Sequence, residues 1–262
     1  MMKTKLFTLV FAVLALGACK KEIKLDVKQI HLTDKTGQWD IKIDRPAFST
    51  TDAETEKSCV KFNDEVNGLI NGIHAAFIEQ AKENIARLDS AGFKQVAPYE
   101  LIIEDSVFLA DQNYISVRVL SYEMLGGAHG MTNFYAINYD VKTQKFLTNK
   151  DILNLDKAAD INALLKANLK DPDKCFTFEA PTVDNVTCIN LTLHTVDFTY
   201  AQYILGPYSC GHTIISIPKE GYAGNQIMVR PVEMDKTVTT DKAVITVVTV
   251  LNLFYIIPVE YG

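Results

Sequence analysis

The stretch YISVRVLSYEMLGGAHGMTNFYAINYDV, residues 114–141, decides the fold. Its flanks, residues 114–125 and 133–141, are rich in β-branched and aromatic side chains, which favour β-strands. Between them lies Gly-Gly-Ala-His-Gly, residues 126–130, a composition typical of a shaped hairpin connection. A third strand-like run, residues 99–110, comes before this pair and is separated from it by the turn formers at 111–113. The sequence therefore predicts an antiparallel meander.

A long amphipathic helix is predicted upstream of the meander, over residues 52–88. Apolar side chains recur there at three- and four-residue steps, which places them on one face, and Gly92 ends the helix. Residues 20–34 predict a tether that becomes an edge strand, whereas residues 35–50 carry turn formers. Because an apolar helix face needs a surface to cover, we expect an α+β fold with a long helix packed on an antiparallel sheet.

A second, smaller α+β unit is predicted from about residue 146. It contains a helix at residues 156–169 and strand-like runs at 188–200 and 212–218, with the turn-like LGPYSCG, residues 205–211, before the last run. The run AVITVVTVLNLFYIIPV, residues 243–259, is almost uncharged and reaches the lower length limit for a membrane span. Its β-branched and aromatic composition favours buried strands over a span.

The N-terminus has the pattern of a bacterial export signal. Lys3 and Lys5 precede a short apolar run, which ends in Leu-Gly-Ala-Cys at residues 16–19. These four residues resemble the lipobox of lipoproteins, in which the cysteine is acylated, for example with palmitate, and becomes the new N-terminus. We therefore expect residues 1–18 to be a signal peptide and Cys19 to anchor the protein to a membrane of the cell envelope, facing the periplasm or the outside. The alternative is a plain secretory signal.

Charge and cysteine content narrow the function classes. Without residues 1–18 the chain keeps 24 basic and 32 acidic residues, a net charge of −8, so nucleic-acid binding is excluded.

Besides Cys19 there are four cysteines, and an even number in an exported protein predicts two disulfides. Three pairings are open, of which Cys175 with Cys188 is the most local. The four candidates are Cys59, Cys175, Cys188 and Cys210.

These elements together resemble a tandem bacterial extracytoplasmic module, DUF4163 followed by DUF3298. The resemblance covers about residues 45–220 and rests on short motifs: Gly126-Gly127-Ala128-His129, Asn138-Tyr139-Asp140, Leu147-Thr148, Asp151-Ile152-Leu153, Gly206-Pro207-Tyr208 and Gly211. It implies a tether at 19–44, a DUF4163-like domain at 45–145 and a DUF3298-like domain at 146–221. The tail at 222–262 matches nothing in the family.

The resemblance also implies a role. The same pair of domains resembles the extracellular half of a lysozyme-sensing anti-sigma factor, and the first domain also precedes a peptidoglycan deacetylase. This chain shows neither a cytoplasmic segment for an anti-sigma role nor the spaced histidines of a deacetylase metal site. We therefore expect a non-catalytic binding or structural lipoprotein without a metal or cofactor. Its expected partners are the lipid bilayer, through Cys19, and peptidoglycan or a lysozyme-like protein.

The candidate binding loop combines the two glycine-bearing turns, and its residues are Gly126, Gly127, His129, Gly130, Tyr208 and His212. The alternative is a hydrolase or metal-dependent enzyme centred on His129 and His212, with Glu123 or Asp140 as helpers, because histidine on a glycine-framed loop can be exposed and oriented. However, the sequence contains neither Gly-x-Ser-x-Gly nor His-Glu-x-x-His. Glycines beside strands usually serve backbone geometry, so no catalytic residue is predicted.

Overall fold

A computed structural model describes residues 23–219 of the chain. The predicted signal peptide, the proposed lipid-attachment residue Cys19 and the apolar run at 243–259 lie outside the described residues. Within the described range, no helix is both long and apolar enough to cross a membrane.

The described chain folds into two sheets and three helices, in agreement with the predicted α+β class. The first sheet has the strand order β1-β2-β3-β4-β5-β6 and the second has the order β7-β8-β9. The elements, in chain order, are β1 (Asp26–Lys35), β2 (Trp39–Ser49), α1 (Ala53–Ser90), β3 (Tyr99–Ala110), β4 (Tyr114–Met124), β5 (Met131–Asp140), β6 (Lys145–Phe146), α2 (Asn149–Ile152), α3 (Ala158–Asn168), β7 (Cys188–Leu191), β8 (Thr195–Tyr200) and β9 (Thr213–Pro218).

The long helix α1 follows the predicted bounds closely. Asp52 is the N-cap, and its carboxylate accepts a hydrogen bond of 2.9 Å from the backbone N–H of Thr55. Just past the C-terminus, Gly92 has a φ of +77°, which a glycine adopts without strain. The buried face of α1 includes Phe62, Val66, Ile70 and Phe77, which pack against the first sheet.

The first sheet is mixed, which corrects the expectation of a purely antiparallel one. β3, β4 and β5 form the predicted antiparallel meander. β2, however, pairs in parallel with β3, from Trp39 opposite Tyr99 to Ile43 opposite Ile103. The parallel pairing follows from α1, which connects β2 to β3 and returns the chain to the same end of the sheet.

The strand β2 lies where turn formers were expected, so that part of the prediction was wrong. Its inward side chains Ile41, Ile43 and Phe48 are buried, but charged residues, a proline and an alanine interrupt them in the sequence. Pro46 is tolerated because it lies beyond Ile43, where β2 no longer pairs with β3.

Two hydrophobic clusters lie on opposite faces of the first sheet. Ile115, Val117 and Val119 of β4 belong to the cluster under α1. The alternate residues of β4 point the other way: Ser116 accepts a hydrogen bond of 3.0 Å from the N–H of Leu191 in β7. In β3 a bulge between Val107 and Leu109 reverses the alternation, so that Leu109 joins the second cluster with α3 and β7–β9.

The second predicted unit contains the expected helix and strands, with differences at the run 188–200 and at the start of the helix. The run at 188–200 is a hairpin of β7 and β8, in which the Thr192 hydroxyl accepts a hydrogen bond of 2.7 Å from the N–H of Thr195. The helix α3 begins at Ala158, two residues later than the predicted start, because a 3-10 turn, Leu155–Lys157, comes first.

The cysteines correct the expectation of two disulfides. Residues 23–219 contain one disulfide, between Cys175 and Cys210, and not the local pair of Cys175 with Cys188. Cys59 and Cys188 are free and buried. Cys59 lies on α1 under one face of the first sheet, whereas Cys188 begins β7 on the other face, so the sheet separates the two thiols. Burial raises the pKa of the Cys59 thiol to about 11, which keeps it protonated and unreactive.

Candidate functional site

The β4–β5 connection is shaped by its glycines. Gly126 and Gly127 have φ values of +94° and +105°, a region that other residues rarely adopt. Gly130 is buried against the ring of Tyr122, and a Cβ at position 130 would overlap that ring. The glycines therefore set the path of the hairpin and leave His129 exposed at its tip.

His129 is held by aromatic residues of the second unit. Its ring stacks on Tyr208, with 3.9 Å between ring centroids and 19° between planes. Its Nδ1 lies 3.0 Å from the carbonyl oxygen of Gly130, which can only accept, so Nδ1 carries the proton in this contact. Nε2 is then free to accept from the hydroxyl of Tyr203, 3.3 Å away.

Three rings thus form one cluster, in which His129 and Tyr203 are exposed and Tyr208 is half-buried. Tyr203 and Tyr208 lie 5.8 Å apart between ring centroids, and Tyr203 is 46% exposed. Tyr203 also has a positive φ of +69°. We call His129, Tyr203 and Tyr208 the aromatic surface. The structure therefore brings together His129 and Tyr208, which the sequence proposed as one loop surface, and adds Tyr203, which the sequence analysis missed.

His212 contacts a different ring. It packs on Phe134 of β5 at 4.7 Å between centroids. The pKa of His212 is lowered, first because its covered side loses water and second because Arg118 lies nearby. The Arg118 guanidinium lies over the rings of Phe108 and Phe134, at 5.1 and 5.5 Å, and its Nη1 donates to the hydroxyl of Thr199 at 3.2 Å.

The proposed helper carboxylates have other roles. Asp140 accepts a hydrogen bond of 2.9 Å from the N–H of Thr143 in the turn after β5. Asp140 and the hairpin lie at opposite ends of β5, roughly 30 Å apart at about 3.3 Å per residue. Glu123 accepts from Ser121 at 3.4 Å, and partial burial raises the pKa of its carboxyl. Asp140 is thus too far away to assist His129.

His, Cys, Asp and Glu side chains are the usual metal ligands in proteins. Among residues 23–219, no group of three or more His, Cys, Asp and Glu side chains is placed to hold a metal ion. The enzyme hypothesis centred on His129 and His212 stays a prediction.

The turn that carries Tyr208 is fixed by the disulfide. Cys210 follows Tyr208 in a short 3-10 turn and is bonded to Cys175. Gly206 is buried at the start of this turn, and a Cβ there would lie 2.6 Å from the carbonyl oxygen of Cys175. The Gly-Pro-Tyr motif therefore positions the Tyr208 ring under His129.

The charge state of His212 predicts a pH dependence of stability. Because its pKa is lower in the folded state than its usual 6.5, the unfolded chain binds the proton more tightly. The contribution of neutral His212 to the free energy of unfolding is thus complete above about pH 6.5, and it is lost as the pH falls below that value. We expect His212→Phe to flatten the decrease in urea midpoint between pH 7.5 and pH 5. The same slope in the variant and the wild type would contradict this assignment.

Comparisons with known proteins support the fold. A family model described as "Deacetylase PdaC" matches residues 32–132, which is less than half of the chain. A DUF3298 family member from Bacteroides fragilis has a similar structure, with a TM-score of 0.54, 20% identity, and coverage of 79% of this chain and 93% of that chain. A DUF3298 family protein from Pseudomonas aeruginosa gives 0.53, 22%, 79% and 95% for the same quantities. None of the curated proteins matches this sequence.

These similarities confirm the predicted resemblance to DUF3298-type proteins at the level of the fold. The match at residues 32–132 runs from β1 through β4 and the hairpin to the start of β5. At 20% and 22% identity, the similarity to the two solved structures shows a shared fold and does not identify a ligand.

Proposed function

We propose that this protein is a lipid-anchored binding protein of the bacterial cell envelope whose aromatic surface contacts cell-wall glycan. A lysozyme-like protein that acts on such glycan is the second partner to test. The observation that carries the proposal is the cluster of exposed His129 and Tyr203 around the half-buried Tyr208, on which the His129 ring stacks.

The chemistry of these rings fits a sugar. The faces of a pyranose ring carry C–H groups that pack on aromatic faces, while the hydroxyls at its edge need hydrogen-bonding partners. Tyrosine and histidine offer both an apolar ring and a polar tip. The rings are held in place by the glycine-shaped hairpin, residues 126–130, and by the turn that the disulfide fixes. Binding would therefore cost little side-chain entropy.

The position of the surface also fits an anchored protein. β1 begins at Asp26, opposite Ser49, and the hydroxyl of Thr50 donates to the carbonyl oxygen of Lys24 at 2.8 Å. The hairpin lies at the other end of the first sheet, where Trp39 pairs with Tyr99 and Glu100 pairs with Met124. If Cys19 attaches the tether to a membrane, the aromatic surface faces away from that membrane. The start of β1 and the hairpin are then roughly 30 Å apart along the strands.

The proposal is tested with purified protein and insoluble peptidoglycan in a co-sedimentation assay. We expect the wild type to sediment with peptidoglycan and the double variant Tyr203→Ala, Tyr208→Ala to bind at least tenfold more weakly, because both stacking faces are removed. Phe93→Ala is the matched control, since Phe93 is an exposed ring, 66% accessible, outside the aromatic surface. We expect this control to bind like the wild type.

A parallel arm uses immobilised lysozyme in place of peptidoglycan. Capture of the wild type by lysozyme but not by peptidoglycan would identify the protein partner as the ligand of the aromatic surface. Absence of binding to both, with wild-type circular dichroism, would contradict the proposed function.

A further inference from the structure

A second surface lies along the outer edge of β5. The short strand β6 pairs only with Tyr139 and Asp140, and the N–H of Leu147 adds one bond of 2.8 Å to the carbonyl oxygen of Asn138. The chain then turns away into α2. Within the described part of the chain, the rest of β5 has β4 on one side and no strand on the other.

The main-chain groups of this edge point outward in a regular pattern. In an antiparallel strand the N–H and C=O of one residue point to the same side, and alternate residues share that side. Because the carbonyl of Asn138 faces Leu147 and not β4, the N–H and C=O groups of Ala136 and Phe134 also face outward. Among residues 23–219 these groups have no hydrogen-bonding partner.

The open edge forms the floor of a cleft of about 480 Å³. α1 provides one wall with Glu65 and Leu69, β7 provides the other with Cys188 and Ile189, and the β6–α2 connection closes one end. The volume lies in the usual range for binding clefts, roughly 300–1,000 Å³. The cleft, called the slot below, thus lies beside the consecutive residues 134–138 of β5.

The slot carries one acidic side chain on its α1 wall. Of the described residues that line it, Glu65 is the only one with a charged side chain, and it stands at the wall formed by α1. A ligand with a cationic side chain on that wall would therefore be complementary.

We propose that this slot binds an extended peptide with a basic side chain, which adds to β5 as a further strand. Alternating unpaired N–H and C=O groups match the repeat of a peptide main chain and not that of a glycan. The walls on both sides leave room for the side chains that alternate above and below the strand. The proposal does not depend on the aromatic surface.

The test uses the purified protein and a fluorescein-labelled pool of hexapeptides that alternate mixed apolar residues with lysine. We expect saturable binding by fluorescence anisotropy, and at least tenfold weaker binding to Ala136→Pro, which removes one outward N–H without touching the bonds to β4. Ala136→Val keeps the N–H and is the matched control. We also expect Glu65→Gln to bind the pool more weakly than the wild type does.

A second measurement does not depend on the folding of the variants. Peptides N-methylated at every second residue lose one set of main-chain donors, so one of the two methylation phases should abolish binding to the wild type while the other retains it. Equal binding of both phases, equal binding by Ala136→Pro and Ala136→Val, or no binding of the pool at millimolar concentration would overturn the proposal. Displacement of the peptides by a soluble chitooligosaccharide would overturn it as well.

Discussion

Replacing Cys175 and Cys210 together by alanine should lower the free energy of unfolding by about 3–4 kcal/mol. The bond links residues 35 positions apart, so its loss restores considerable conformational freedom to the unfolded chain. The turn at Tyr208–Cys210 loses its attachment at the same time. Urea unfolding followed by circular dichroism measures the effect.

The free cysteines supply the control for this experiment. Cys188 is buried and unpaired, so Cys188→Ala removes a thiol without opening a cross-link. We expect a smaller loss of stability from this change than from the double replacement. If the double variant were as stable as the wild type, the bond between Cys175 and Cys210 would not stabilise the fold.

Replacing Gly206 by alanine should destabilise the protein by roughly 1–3 kcal/mol and displace Tyr208. The added Cβ would lie 2.6 Å from the carbonyl oxygen of Cys175 and 3.3 Å from the Sγ of Cys210. A carbonyl oxygen of the main chain cannot rotate away as a side chain can, so the turn must move. Near-ultraviolet circular dichroism should show weaker aromatic signals, and the urea midpoint should fall.

Gly37→Ala is the matched control for this substitution. A Cβ at position 37 meets no atom within 4 Å, so it should leave the urea midpoint close to that of the wild type. Equal stability of Gly206→Ala and Gly37→Ala would show that the turn accommodates a Cβ at position 206, which would contradict the close contact in the structure.

Local sequence signals were sufficient for most elements. The periodic apolar side chains after Asp52 located α1, and Gly92 marked its C-terminal end. The strands β3, β4 and β5 were found within one or two residues from their β-branched and aromatic composition. These features depend on neighbours in the chain, which sequence patterns report directly.

Features that depend on distant residues were missed. β2 was read as turns because its buried residues, Ile41, Ile43 and Phe48, are interrupted by charges and a proline. Its parallel pairing with β3 depends on the return of the chain along α1. The bulge that turns Leu109 to the second cluster leaves no clear mark in the sequence.

The candidate site was predictable in part. The glycine-framed turns pointed to His129 and Tyr208, which the structure stacks on one another. Tyr203 was missed because its positive φ and its contact with His129 belong to the folded chain. The cysteine pairing could not be chosen from spacing, since Cys210 reaches Cys175 across the second unit and the nearer Cys188 is buried in β7.

The most direct test of the central claim is nuclear magnetic resonance of the aromatic side chains during titration with soluble peptidoglycan fragments. If the aromatic surface binds glycan, the ring signals of His129, Tyr203 and Tyr208 should shift together and saturate, while the exposed ring of Phe93 stays unchanged. Unchanged signals of all three rings at millimolar fragment, or shifts confined to residues outside this surface, would contradict the account.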